Sequence, residues 1–170
     1  ALANRLGIAS HVRFAGVVKD MPGFFDEIDV FVHPALREPF GLVAAEAQSA
    51  GVPVVCTAVD GLPEVVASGQ TGICVKPTAD LERHAALGGQ NIGLPPKVYI
   101  PDDDAITAPR VCEPADLAAA IDEVTADASA YTRTSANAIE RVAGRFDFDD
   151  HVDRVLVAVR EYAESATLRA

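Results

Sequence analysis

No apolar run in this sequence approaches the roughly 20 residues that a helix needs to cross a bilayer. No signal peptide opens it either, so the sequence reads as cytoplasmic. Positive charge is scarce: 14 Lys and Arg against 25 Asp and Glu give a formal net charge of -11, which argues against a nucleic-acid duplex or an anionic membrane surface as partner. The same deficit means that any bound phosphate must be held by backbone amides and a few local cations. Cysteine is sparse as well. Cys56, Cys74 and Cys112 are an odd set without metal-ligand spacing, two of them in apolar strand patterns, and read as reduced thiols in or near the core. Asp102-Asp103-Asp104 is a lone acidic run in a loop, a pattern that is usually solvated, so no metal is expected there. Missing too are G-x-G-x-x-G after a strand and G-x-x-x-x-G-K-[ST], so nicotinamide and P-loop chemistry lose their usual fingerprints.

What is present fits one soluble globular domain: 170 residues, 49% hydrophobic and 23% charged. Its most informative stretch is Phe31 to Gly51. Asp29 to Ala35 reads as a short buried strand, Leu36 to Phe40 as a proline-containing turn, and Gly41 to Ala50 as an alanine-rich helix closed by Gly51. In an open parallel sheet, ligands bind just beyond a strand's carboxyl end, where the next helix starts. Glu38 lies there. Leu42, Val43 and Glu46 are spaced to share one face of the helix near its start, whose unpaired amides can take a phosphate. Carboxylates accept hydrogen bonds from hydroxyls, which suits a ribose to Glu46 and a sugar to Glu38. The layout reads as a sugar-nucleotide site.

REPFGLVAAE with its flanks, followed by SAGVPVVCTAVDGLPEVVASGQTGICVKP, resembles the donor-binding domain of retaining glycosyltransferases of the large family 4 kind (glycosyl transferases group 1), which have the GT-B fold. The E-x7-E pair, the EPFGL core, the AGVPVV strand and the LPEVV-x-x-G-x-TG run share the family's order and spacing, over residues 1–77 and again from about 113 onward. The resemblance implies an α/β fold, a Rossmann-like parallel sheet with helices on both faces, followed by C-terminal helices. It implies Glu38 as the catalytic-site carboxylate, and Phe40, Gly41, Leu42, Val43, Glu46, Gly16 and Val17 as donor contacts, the last two through the base. It implies a nucleoside-diphosphate sugar as donor, a hydroxyl acceptor, no cofactor and no metal. An N-terminal acceptor-binding domain is expected as partner, with any peripheral membrane contact made through that domain. The family's phosphate-binding Gly-Arg pair and lysine have no counterpart here, so the chain reads as one domain over 1–170, truncated at its N-terminus and inactive by itself. The alternative is a non-catalytic nucleotide-sugar-binding or protein-interaction domain of the same fold.

Elsewhere the pattern predicts the end of a helix over Ala1 to Leu6, a strand over Val12 to Gly16 and a short helix over Pro22 to Ile28 with Phe24, Phe25 and Ile28 on the sheet. It then predicts strands at Val52 to Thr57 and Gly72 to Val75 around a helical Pro63 to Ala67. Glu64 matches the family's Pro-Glu dipeptide and also suits a plain helix start. Residues 78–112, rich in breakers, read as an insertion, a hairpin or a flap, replaceable by a short loop. Helices follow from Pro114 and over Ser129 to Ala143. Phe146-Asp147-Phe148-Asp149 resembles the family's hinge before a last helix with Val152, Val155, Leu156 and Val159 as its stripe. His33, in an apolar strand, reads as a satisfied core or rim residue.

Overall fold

The computed structural model describes residues 2–167. Along the chain, α1 (Leu2–Arg5) and α2 (Met21–Asp26) lead into β1 (Phe31–His33), α3 (Leu42–Ser49), β2 (Val54–Thr57), α4 (Leu62–Val65) and β3 (Gly72–Val75). Then come α5 (Leu81–Ala86), β4 (Val98–Ile100), β5 (Ala105–Thr107), α6 (Pro114–Thr125), α7 (Ala128–Arg145) and α8 (Phe148–Thr167). Strands β1, β2 and β3 form a parallel sheet in that order, with Phe31 opposite Val54 and His33 opposite Cys56. Every residue of β2 is buried, as a strand covered on both faces must be. At Gly72 an added Cβ would lie 2.0 Å from Val54 O, so only glycine lets β3 approach.

Successive strand residues point to opposite faces, and β2 divides accordingly. Val54 and Cys56 enter a core with Phe25, Ala44, Ala47, Leu62 and Val65; Val55 enters a second with Val75, Ala120 and Val124. Helices α2, α3 and α4 therefore cover one face and α6 the other. Phe24 and Ile28 pack against the first core beside Phe25. Across β2 and β3 the sulfurs of Cys56 and Cys74 lie 3.7 Å apart. The bond between them and burial push the Cys56 thiol up, while that bond holds Cys74 below its ordinary value.

Helix α3 ends as its sequence requires. Gly51 takes a left-handed φ of 77°, its amide donates to Gln48 O and that of Val52 to Ala47 O, a Schellman closure. Helix α7 crosses α3 at this point, since a Cβ on Gly51 would meet Ser135 Oγ at 2.9 Å. Farther along α7, Arg141 donates to Val65 O and Glu64 O. The stripe of α8 stays open, with Val155, Leu156 and Val159 exposed. Among the described residues no helix is long and apolar enough to cross a membrane.

Two expectations are corrected. The strand over Val12 to Gly16 does not form: Val12 is extended, but Phe14 is 88% exposed. Ladder hydrogen bonds need a second strand alongside, and none lies there among the described residues. The parallel sheet thus has three strands where alternation predicts four. The helix expected over Ala1 to Leu6 is α1, Ala1 lying outside the described residues. Residues 78–112, in turn, do not lie wholly outside the core, as exchange for a short loop presumes. They hold α5, capped by Asp80, and the antiparallel β4–β5 hairpin. Val98 and Ile100 of that hairpin are 4% and 2% exposed, inside the first core.

Candidate functional site

The β1–α3 loop leaves the carboxyl end of a parallel strand, and Gly41 sets its geometry. As the residue before α3 it adopts φ 100°, and a Cβ there would lie 2.8 Å from Leu62 Cδ2, so backbone conformation and space both demand glycine. Glycine has no side chain to cap the helix. Glu38 instead closes the turn just ahead of it, its Oε1 accepting from Gly41 N at 3.0 Å, so the first amides of α3 keep no side-chain cap. Glu38 Oε2 lies 3.3 Å from His33 Nε2, and the His33 ring stacks on Phe31. The Glu38 main chain is fixed as well: its amide donates to Asp60 Oδ2 at 3.1 Å and its carbonyl accepts from Gly61 N at 3.1 Å.

Ala44 and Ala45 both donate to Gly41 O. The amides of Leu42 and Val43 come before the first intrahelical donor and are left at the positive end of the helix dipole. Beside them runs an open cavity of about 670 Å³ between α3 and the α7–α8 junction, with Phe40, Leu42 and Glu46 on one wall and Arg145, His151 and Arg154 on the other. Phe40 meets Phe146 edge to face at 5.6 Å. Leu42 is 65% exposed, an apolar side chain free to touch a ligand. A smaller hollow of about 350 Å³ lies on the far side of the loop, lined by Arg37, Pro39, Asp60, Lys97 and Tyr99 among others. Tyr99 donates its hydroxyl to Asp104, and that bond raises its ionisation above the ordinary value, so it stays a neutral donor.

The fold therefore brings Glu38 and Gly41 into direct contact and puts Phe40, Leu42 and Glu46 in one cavity. Val43 departs from the expected shared face. One position round from Leu42, its side chain packs on the first core, and only its amide remains at the site. Gly16 and Val17 are not among the cavity's lining residues, and Val17 is 93% exposed. Sequence reasoning missed three features. His33 is the satisfied rim residue expected, but its partner, Glu38, was not foreseen; its place at a strand end, close before a motif carboxylate, was the available signal. Asp60 gave none, because its partners Glu38 and Tyr99 are remote in sequence, and Arg145 and Arg154 gave none, because only the fold sets them across a cavity from α3.

A family model described as glycosyl transferases group 1 matches residues 1–87. A D-inositol 3-phosphate glycosyltransferase of Streptomyces avermitilis is 49% identical over 77 residues, which are 44% of this chain and 17% of that protein. One of Corynebacterium aurimucosum is 43% identical over 76 residues, 44% of this chain and 18% of that protein. Among solved structures, sucrose-phosphate synthase from Thermosynechococcus elongatus superposes with a TM-score of 0.68 at 24% identity, covering 96% of this chain and 33% of that one. Anabaena HepE in complex with UDP and glucose gives 0.62 at 24% identity, covering 97% and 34%. The chain thus spans about a third of the solved chains whose fold it shares, and its matched part is a smaller share still of the curated relatives.

Proposed function

Because the chain belongs to the glycosyl transferases group 1 family and has the fold of one half of a GT-B glycosyltransferase, we propose that it is the donor-binding domain of a retaining transferase. Such an enzyme moves a sugar from a nucleoside diphosphate to a hydroxyl acceptor. The observation that carries the reading is the placement of two carboxylates around one helix start: Glu38 bonded to the first amide of the turn, and Glu46 one turn farther along, in the adjoining cavity. The free amides of Leu42 and Val43 take the diphosphate, and Arg145 and Arg154 across the cavity offset the strongly acidic surroundings. Glu46 accepts from the ribose hydroxyls and Glu38 from hydroxyls of the transferred sugar. Phe40 and Leu42 form apolar walls, and the Gly16–Val17 backbone contacts the base.

Rate enhancement in this reading comes from holding the donor and stabilising the departing diphosphate with fixed dipoles and cations. No metal is required for that neutralisation. The acceptor is held by an N-terminal domain, and the reaction belongs in the cytoplasm. The test uses the complete polypeptide with a panel of nucleoside-diphosphate sugars, first by thermal shift and then by proton NMR of the product formed with acceptor. A donor that raises the melting temperature and yields a product of unchanged anomeric configuration is expected. An inverted anomer overturns retention, and a panel without any shift overturns the donor site.

A further inference from the structure

We infer that Asp60 is a positioning residue for Glu38, and that the β4–β5 hairpin acts through it as a strut on the sugar-facing loop; the inference rests on the donor reading above. Asp60 joins two backbones that are remote in sequence. Its Oδ2 accepts from Glu38 N at 3.1 Å, and its Oδ1 from Tyr99 N at 2.8 Å. Its own amide returns a bond to Tyr99 O at 2.9 Å. Both carboxylate oxygens are committed, one to each side.

The backbone of Asp60 has φ 45°, a left-handed conformation in which glycine would be easier. A residue is kept in such a region only when its surroundings over-determine it, and here the two side-chain bonds do so. Asparagine cannot replace them in full, because its amide group would turn a donor toward a backbone N–H. Tyr99 is itself anchored. Its neighbours Val98 and Ile100 are buried in the main core, and its hydroxyl ties the hairpin at Asp104. Next to Asp60, a Cβ on Gly61 would lie 2.3 Å from Pro39 O, so the two loops are in direct contact and movement of one displaces the other. Glu38 is thus held at its root by Asp60 and Gly61 and at its head by Gly41 and His33. Such a fixed carboxylate meets the donor in its working position.

The test compares Asp60→Gly, which suits the backbone but removes both side-chain bonds, with Asp60→Asn and Glu38→Ala, singly and combined, in the complete polypeptide. Hydrogen exchange at the Glu38 and Tyr99 amides is followed together with turnover and the affinity for free nucleoside diphosphate. Asp60→Gly is expected to speed exchange at both amides about tenfold or more and to lower turnover by a similar factor. Nucleoside diphosphate affinity should stay within about twofold, Asp60→Asn should fall between, and Asp60→Gly should add nothing in the Glu38→Ala background. Normal turnover in Asp60→Gly beside a damaged Glu38→Ala overturns this inference alone. So does a loss that is fully additive with Glu38→Ala, or one accompanied by an equal loss of nucleoside diphosphate affinity. Parental turnover in Glu38→Ala marks the failure as that of the donor reading and takes this inference with it.

Discussion

Gln48 lies wholly buried under α3, its Nε2 donating to Ala44 O and Val65 O while Oε1 has no partner among the described residues. Val65 O also receives Arg141 Nε at 2.8 Å, so the Gln48 bond to it is redundant. Replacing Gln48 by methionine, similar in shape, removes an unpaired buried acceptor and should leave stability within about 1 kcal/mol of the parent, or above it. Arg141→Ala should cost about 1–3 kcal/mol, since the Glu64 carbonyl loses its side-chain donor and Val65 keeps only Gln48. Denaturant midpoints at constant slope measure both. Among residues near the site, those legible in sequence were the ones whose meaning is local. Glu38, Gly41, Leu42 and Glu46 announce a strand end and a helix start by spacing alone. Val43 was misjudged because neighbouring helical positions diverge by a large angle, and Asp60 was invisible because both its partners are brought to it by the fold.

At the scale of elements, the hairpin carries the clearest consequence. Ile100 is 2% exposed in the main core, so Ile100→Ala should destabilise the whole domain by about 2–5 kcal/mol. Unaltered cooperative unfolding with a parental midpoint would show instead that the hairpin only rests on the core. Helix α7 supplies a pH dependence. Asp127 caps it, accepting from the amides of Ser129 and Ala130. The bond from the Ser129 amide, above all, holds its carboxyl below the ordinary value. A group whose folded value is depressed contributes stability above its unfolded value, about pH 4, and loses it as pH falls through the folded one. The gap in melting temperature between the parent and Asp127→Ala should therefore be full at neutral pH and narrow below about pH 4; a constant gap would contradict the cap's charge dependence. Periodic elements such as β2, β3, α6 and α7 were legible because burial on one or both faces writes itself into the residue pattern. The hairpin was legible only as an alternative to a flap, and its burial was not, since β4 and β5 are three-residue strands among proline and aspartate; the Val12 to Gly16 run failed as a strand because pairing depends on a neighbour and not on its own apolar residues.

Taken as a whole, the chain carries a net charge of -11, yet its cavity has Arg145 and Arg154 on one wall and Glu46 on the other, with Glu38 at the adjoining helix start. In the proposed reading, local dipoles and guanidinium groups draw a phosphate-bearing ligand there against the sign of the overall charge. The same reading gives the ligand's neutral hydroxyls to the two carboxylates, the ribose to Glu46 and the transferred sugar to Glu38. Calorimetric titration of Glu38→Ala and Glu46→Ala, in the complete polypeptide, with free nucleoside diphosphate and with the intact donor gives four affinities that decide it. Glu46→Ala should weaken both ligands alike, and Glu38→Ala should weaken the donor while sparing the nucleoside diphosphate, each lost bond costing about 1.5–3 kcal/mol, or roughly ten- to a hundredfold. Parental affinity in all four titrations would show both carboxylates to be scaffold, and the opposite pattern would show the donor lying in the reverse orientation.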